Sequence, residues 1–162
     1  MEAEEKEQIV RYRSLCSHMK AFRESRLETF ESIMDALQVT RELLLLNPDF
    51  TTAWNLRRKA LSTMVQDKVS TIVKELDFSV QTIKTNPKSY GAWFHRKWLI
   101  ETLAANEEEH RGVPDINREL LLCGKLLDLD SRNCTSFNLL MYSPLLELPM
   151  VPDLALRRIS AE

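Results

Sequence analysis

Apolar residues recur at helical spacing in three blocks of the chain. The first contains Ile33, Leu37 and Leu44, and the second Ile72, Leu76, Val80 and Ile83. The third contains Ile116, Leu120, Cys123 and Leu127. Intervals of three, four and seven place such residues on one face of a helix. The first two blocks end at Asn47-Pro48 and Asn86-Pro87. Proline disfavours helical backbone at the residue before it, so a helix is predicted to stop at each Asn. A second helix is predicted to start directly afterwards, with Thr51 or Asp49, and Ser89, as the expected N-caps. A further helix is predicted over about residues 3–24, with Ile9, Tyr12, Leu15, Cys16 and Met19 on a loosely apolar face. Pro144, Pro149 and Pro152 interrupt any pattern in residues 143–162, which read as an irregular tail.

The blocks belong to a repeat. Residues 47–61 read NPDFTTAWNLRRKAL and residues 86–100 read NPKSYGAWFHRKWLI. Asn47 recurs as Asn86 and Trp54 as Trp93, at one and the same interval. A weaker third copy starts at Asp130 and places Phe137 where Trp93 stands, at a slightly longer interval. The additional residues fit the polar stretch 104–114, where loop insertion costs little. The unit is therefore a helical hairpin of roughly 40 residues, a length typical of stacked helical repeats. The predicted fold is all-α, a superhelix (solenoid) of helical hairpins. Its parts are an N-terminal helix and linker (1–29), repeat 1 (30–67), repeat 2 (68–106), a degenerate repeat 3 (107–142) and the tail (143–162).

Composition narrows the chemistry. The three glycines (Gly91, Gly112, Gly124) are too few and too scattered for a phosphate-cradling loop, and leave few turns for a β-sandwich or barrel. A net charge of −2 lacks the basic footprint of a nucleic-acid binder. Cys16, Cys123 and Cys134 show no metal-ligand spacing and read as reduced structural thiols of an intracellular, cytoplasmic protein. Neither do His18, His95 and His110, so no metal is expected in this chain, and His95 is expected to hydrogen-bond locally. No run of 18 apolar residues is present, and Glu2, Glu4, Glu5 and Glu7 have the wrong charge for a leader, so no membrane insertion is expected. Trp54 and Trp93 are expected to fill the seam between hairpins. Arg57 and Arg96, placed alike after each Trp, are expected to bond or ion-pair with the neighbouring hairpin through their planar forks.

The run NPKSYGAWFHRKWL, preceded by NPDFTTAWNLRR and followed by ELLLCGKLLDLDSRNC, strongly resembles the α-subunit repeat of protein prenyltransferases. The branch of that family that geranylgeranylates Rab proteins is the most similar. The resemblance covers residues 30–134. It implies a crescent of hairpins around a β subunit that carries a catalytic zinc and the isoprenoid pocket. It also implies that geranylgeranyl diphosphate binds at the subunit interface and that Rab GTPases arrive with an escort protein. By the same resemblance, Lys88 and Tyr90 help to hold the diphosphate, and Trp54, Arg57, Trp93 and Arg96 are the structural signature; for Arg57, Arg58, Arg96 and Lys97, contact with the β subunit or with an acidic Rab or escort surface stays open beside the structural reading. Two alternatives stay open: the α subunit shared by the farnesyl and type I geranylgeranyl enzymes, and a non-catalytic helical-repeat binding module.

The pattern departs from the family after Cys134. A Trp and an Arg pair are expected there, but Thr135 to Met141 read TSFNLLM, and Thr135 stands where the family often has His. The abrupt change is what a shortened product is expected to show, from alternative splicing or a frameshift near the Cys134 codon; a genuinely divergent short relative is the alternative that stays open. A solenoid cut within a hairpin leaves an apolar end. Leu139, Leu140, Leu145, Leu146 and Leu148 either cover it as a makeshift cap or form an exposed apolar patch prone to association, and marginal stability is expected for the chain alone.

Overall fold

The computed structural model describes residues 2–25, 27–105, 119 and 121–125. The expectations for Ile116, Leu127, Asp130, Phe137, His110, the segment after Cys134 and the proline-containing tail lie outside these residues. Five helices are described: α1 (Glu2–Glu24), α2 (Phe30–Leu46), α3 (Thr51–Thr63), α4 (Lys68–Thr85) and α5 (Tyr90–Ala104). The chain divides into two compact units, Met1–Arg96 and Lys97–Glu162.

In the first unit, α2 opens on a capping box. Thr29 Oγ1 accepts from the Ser32 amide at 3.1 Å, and Ser32 Oγ accepts from the Thr29 amide at 3.3 Å, so two orphan donors are satisfied reciprocally. The buried face of α2 is Ile33, Ala36, Leu37, Thr40, Leu43 and Leu44. The same register, one repeat later, buries Ile72, Glu75, Leu76, Ser79, Thr82 and Ile83 of α4. The two faces differ most where the small Ala36 is matched by a carboxylate, Glu75. Helices α3 and α5 bring back Trp54 and Trp93, both essentially inaccessible to solvent.

Helix α1 lies outside the repeat. Leu15 and Met19 are buried and Tyr12 and Cys16 half-buried, but Ile9 is exposed, so the apolar face is narrower than the spacing suggested. The Tyr12 ring lies 6.4 Å from that of Phe50. Arg11 pairs with Glu42 of α2 at 2.9 Å, an exposed pair worth at most about 1 kcal/mol.

In the second unit, Leu99, Ile100 and Leu103 are buried, as are Glu119 and Cys123. Lys97 lies 3.7 Å from Glu101 one turn on, and Thr102 Oγ1 donates to the Trp98 carbonyl at 2.7 Å. Among the described residues no helix is long and apolar enough to cross a membrane.

Candidate functional site

The two Asn-Pro turns are built alike. Each Asn closes the preceding helix, with its amide donating to Leu43 O at 2.8 Å (Asn47) or Thr82 O at 2.9 Å (Asn86). Each Asn side chain then accepts from the amide two residues on, Asp49 at 3.1 Å and Lys88 at 3.2 Å. This side-chain mimic of a backbone turn is the reason for Asn at the position. Proline adds a carbonyl with a defined task. Pro48 O accepts Trp54 Nε1–H and Pro87 O accepts Trp93 Nε1–H, both at 2.8 Å. An indole buried in the core thus keeps a partner for its only donor.

The second turn is laced to the first. Asn86 Nδ2 donates to Asp49 Oδ2 at 3.0 Å, and Ser89 Oγ donates to Pro48 O at 2.9 Å. The buried Ser89 also accepts from the Ala92 amide at 3.4 Å, as an N-cap does. The first turn differs from expectation. Phe50 occupies the N-cap of α3 without a side-chain bond, because the Asp49 carboxylate is engaged by Asn86 and Thr51 Oγ1 donates to Asp49 O.

Lys88 and Tyr90 sit on this laced edge. Lys88 is exposed two residues before α5, and Tyr90 is the first residue of α5 with 71% of its surface accessible. The pair projects from the positive end of a 15-residue helix, an arrangement that favours an anion. A turn braced by hydrogen bonds to the preceding one lies beneath them.

Behind the edge lies a buried polar cluster. Arg57 Nε and Nη2 form a two-pronged contact with Glu75, with Nη2–Oε2 at 2.6 Å. Its Nη1 donates to the Leu37 carbonyl and to Thr40 Oγ1, the latter at 2.8 Å. Arg57 therefore binds its own hairpin as well as the next one. Arg96 repeats the intra-hairpin half of the pattern in the second hairpin, donating to Leu76 O at 2.9 Å and Ser79 Oγ at 2.8 Å. His95 Nε2 lies 3.0 Å from Glu75 Oε1, and its ring is 4.8 Å from that of Trp54. Phe78 completes the cluster, 5.9 Å from the Trp54 ring and with the Arg57 guanidinium 4.6 Å from its centroid.

Burial pushes the Glu75 carboxyl up, but the Arg57 charge and the bonds from His95 and Arg57 outweigh it and hold the pKa at about 2. An ionised carboxylate only accepts, so His95 carries its proton on Nε2. Burial lowers the His95 pKa below 6.5, against the opposing pull of Glu75. Both groups take up protons more readily in the unfolded chain, so acid favours unfolding. The His95 contribution is complete above about pH 6.5 and is lost as pH falls below it; that of Glu75 follows as pH falls from 4.5 toward about 2. The expected result is a melting temperature that declines from pH 7 to pH 5, with a shallower decline in His95→Gln. Equal slopes for the two proteins, measured by thermal unfolding across that range, would contradict the assignment.

Two residues of this region carry weaker sequence signals. Glu75 is a carboxylate within an apolar stripe, visible only by setting the repeats in register. At Gly91, an added Cβ would lie 2.5 Å from Trp54 Cδ1, so the absence of a side chain there is needed for the seam to close. Among the described residues, no three His, Cys, Asp or Glu side chains cluster as metal ligands.

A hairpin closed by Asn-Pro, with its Trp bonded to the proline carbonyl and its Arg to the preceding helix, defines a class of helical repeat. Residues 33–64 and 72–103 match the family "Protein prenyltransferase alpha subunit repeat". Over 102 residues, 60% of the chain, it is 41% identical to "Geranylgeranyl transferase type-2 subunit alpha" of Bos taurus, of which it covers 17%. Proteins of the same name from Dictyostelium discoideum and Saccharomyces cerevisiae are 32% and 31% identical over 80% of the chain, which covers 40% and 37% of them. The chain thus spans less than half the length of these curated relatives.

Proposed function

We propose that this chain is the alpha subunit, or an N-terminal part of it, of a heterodimeric Rab geranylgeranyltransferase acting in the cytoplasm. The observation that carries this reading is the similarity to type-2 alpha subunits from cattle, Dictyostelium and yeast across both repeats. The exposed Lys88 and Tyr90 on the laced edge support it. In the reaction, a C-terminal cysteine thiolate of Rab forms a carbon–sulfur bond to the geranylgeranyl group while the carbon–oxygen bond to the diphosphate breaks. The electron pair leaves with the diphosphate, and its growing negative charge is what the Lys88 ammonium and the Tyr90 hydroxyl stabilise. The second (β) subunit supplies the isoprenoid pocket and the zinc that favours the thiolate. An escort protein presents the Rab substrate.

The test is reconstitution of the chain with the second subunit, escort protein, Rab and geranylgeranyl diphosphate. Lys88→Ala is expected to slow single-turnover transfer by at least about tenfold, below the roughly hundredfold or greater cost of losing a fully enclosed donor. Assembly with the second subunit should be unchanged. Transfer at the wild-type rate, with unchanged diphosphate affinity, would remove Lys88 from the site.

A further inference from the structure

The two Asn-Pro turns differ in one respect. In both, the Asn side-chain oxygen accepts from the amide two residues on, that of Asp49 in the first turn and that of Lys88 in the second. Only in the second is the other end of the carboxamide held by a side chain. Asn86 Nδ2 donates to Asp49 Oδ2 at 3.0 Å, across 37 residues of sequence. Among the described residues no group accepts from Asn47 Nδ2. The contact is made at a local cost. Asp49 directly precedes Phe50, the N-cap of α3, and that helix start has no side-chain cap. An Asp at a helix start ordinarily supplies one. A local preference set aside in this way is expected where a site makes other demands.

The orientation of the Asn86 carboxamide follows from its partner. A carboxylate only accepts, so Asn86 turns its NH2 group to Asp49 and its oxygen is left to the Lys88 amide. Without that carboxylate either end of the carboxamide can face Lys88, and the NH2 end cannot bond to an N–H. The residues on either side of Lys88 are held as well. Pro87 has a fixed φ, and its carbonyl accepts Trp93 Nε1–H. The buried Ser89 donates to Pro48 O.

We propose that Asp49 is a positioning residue for Lys88, acting through the Asn86 carboxamide; this rests on the reading of Lys88 as a ligand of the diphosphate. A Lys side chain has many rotamers, so a fixed backbone origin narrows the volume that its ammonium searches. The ammonium then meets the leaving group with less freedom still to lose. Asp49 itself is not asked to touch the diphosphate, which its charge would repel. The first turn thus serves the second through orientation, not through charge.

Two measurements test this. Amide-proton exchange of Lys88 in the full chain, followed by NMR, is expected to speed up about fivefold or more in Asp49→Ala, as it does when a local hydrogen bond opens. Single-turnover transfer in the reconstituted system is expected to slow about fivefold in Asp49→Ala, within the roughly hundredfold that an ångström of misplacement can cost. Asp49→Asn, whose side-chain oxygen accepts the same bond, should regain most of the rate, whereas a role through charge would leave it as altered as Asp49→Ala. In a Lys88→Ala background, Asp49→Ala should slow transfer no further, because both changes act on one group. Melting temperatures should stay near the wild type, since Asp49 is exposed. An unchanged Lys88 exchange rate, wild-type transfer in Asp49→Ala, equal losses in Asp49→Asn and Asp49→Ala, or equal slowing in both backgrounds overturns the positioning role and leaves the proposed function standing. Wild-type transfer in Lys88→Ala, or no transfer by the wild-type complex, overturns both.

Discussion

Replacing Glu75 with Ala is expected to destabilise the chain by about 3–5 kcal/mol, the usual cost of removing one member of a buried ion pair. The reason lies in what is left behind. Arg57 is 2% exposed, and its fork loses two acceptors at once while the guanidinium stays charged. His95 loses its acceptor as well. Chemical denaturation followed by circular dichroism measures the loss directly. A cost below about 1 kcal/mol would show that water or another carboxylate can replace Glu75. The double change Arg57→Met with Glu75→Leu separates stability from specificity. Apolar replacement of a whole buried pair is often neutral or stabilising. Near-wild-type stability in the double variant would show that the pair chiefly sets the register of one hairpin on the next.

Truncating Trp54 to Ala is expected to cost about 3–5 kcal/mol, from the cavity and the lost contact area. Trp54 is fully buried, touches the rings of Phe78 and His95 in the next hairpin, and bonds to Pro48 O. Trp54→Phe should cost less, because it keeps an aromatic body and loses the indole donor together with part of the ring. Gly91→Ala approaches the same seam from the other side. Its Cβ would press on the Trp54 ring, which is flanked by Phe78 and His95 and has little room to give. Denaturation midpoints for the three variants check the order. A Trp54→Ala loss no larger than that of deleting a single buried methyl group would mean that the seam closes over the cavity.

Much of the hairpin architecture is legible because it depends on local rules. The Asn-Pro stop, the repeat period and the apolar stripes of α2 and α4 follow from backbone sterics and helical periodicity. Ser89 as an N-cap is legible for the same reason. The N-cap of α3 is not, since Asp49 is drawn to Asn86 of the following turn, and its local preference is overridden. Ile9 is misread because α1 has only one side covered, and periodicity alone does not state how wide the covered strip is.

The polar cluster shows the same limit at the candidate site. Arg57 and Arg96 recur at equivalent positions and bond alike within their own hairpins. Glu75 has no carboxylate counterpart in the first repeat, where Ala36 takes its place. The position one repeat before Arg57 holds His18, an exposed residue of α1, so the first repeat has no preceding arginine at that register to match.

The sequence by itself determined the repeat, its helical hairpin form and the turn chemistry, whereas Lys88 and Tyr90 enter as candidates through the family resemblance. Those properties reside in neighbouring residues, whose preferences act over a few positions. Only the tertiary structure decided that Arg57 divides its donors between two hairpins, that Gly91 is the gap into which Trp54 fits, and that Asp49 accepts from Asn86 of the following turn. Periodicity identifies which side chains share a helical face. Which neighbour meets that face, and at what distance, is decided by packing between segments far apart in the chain.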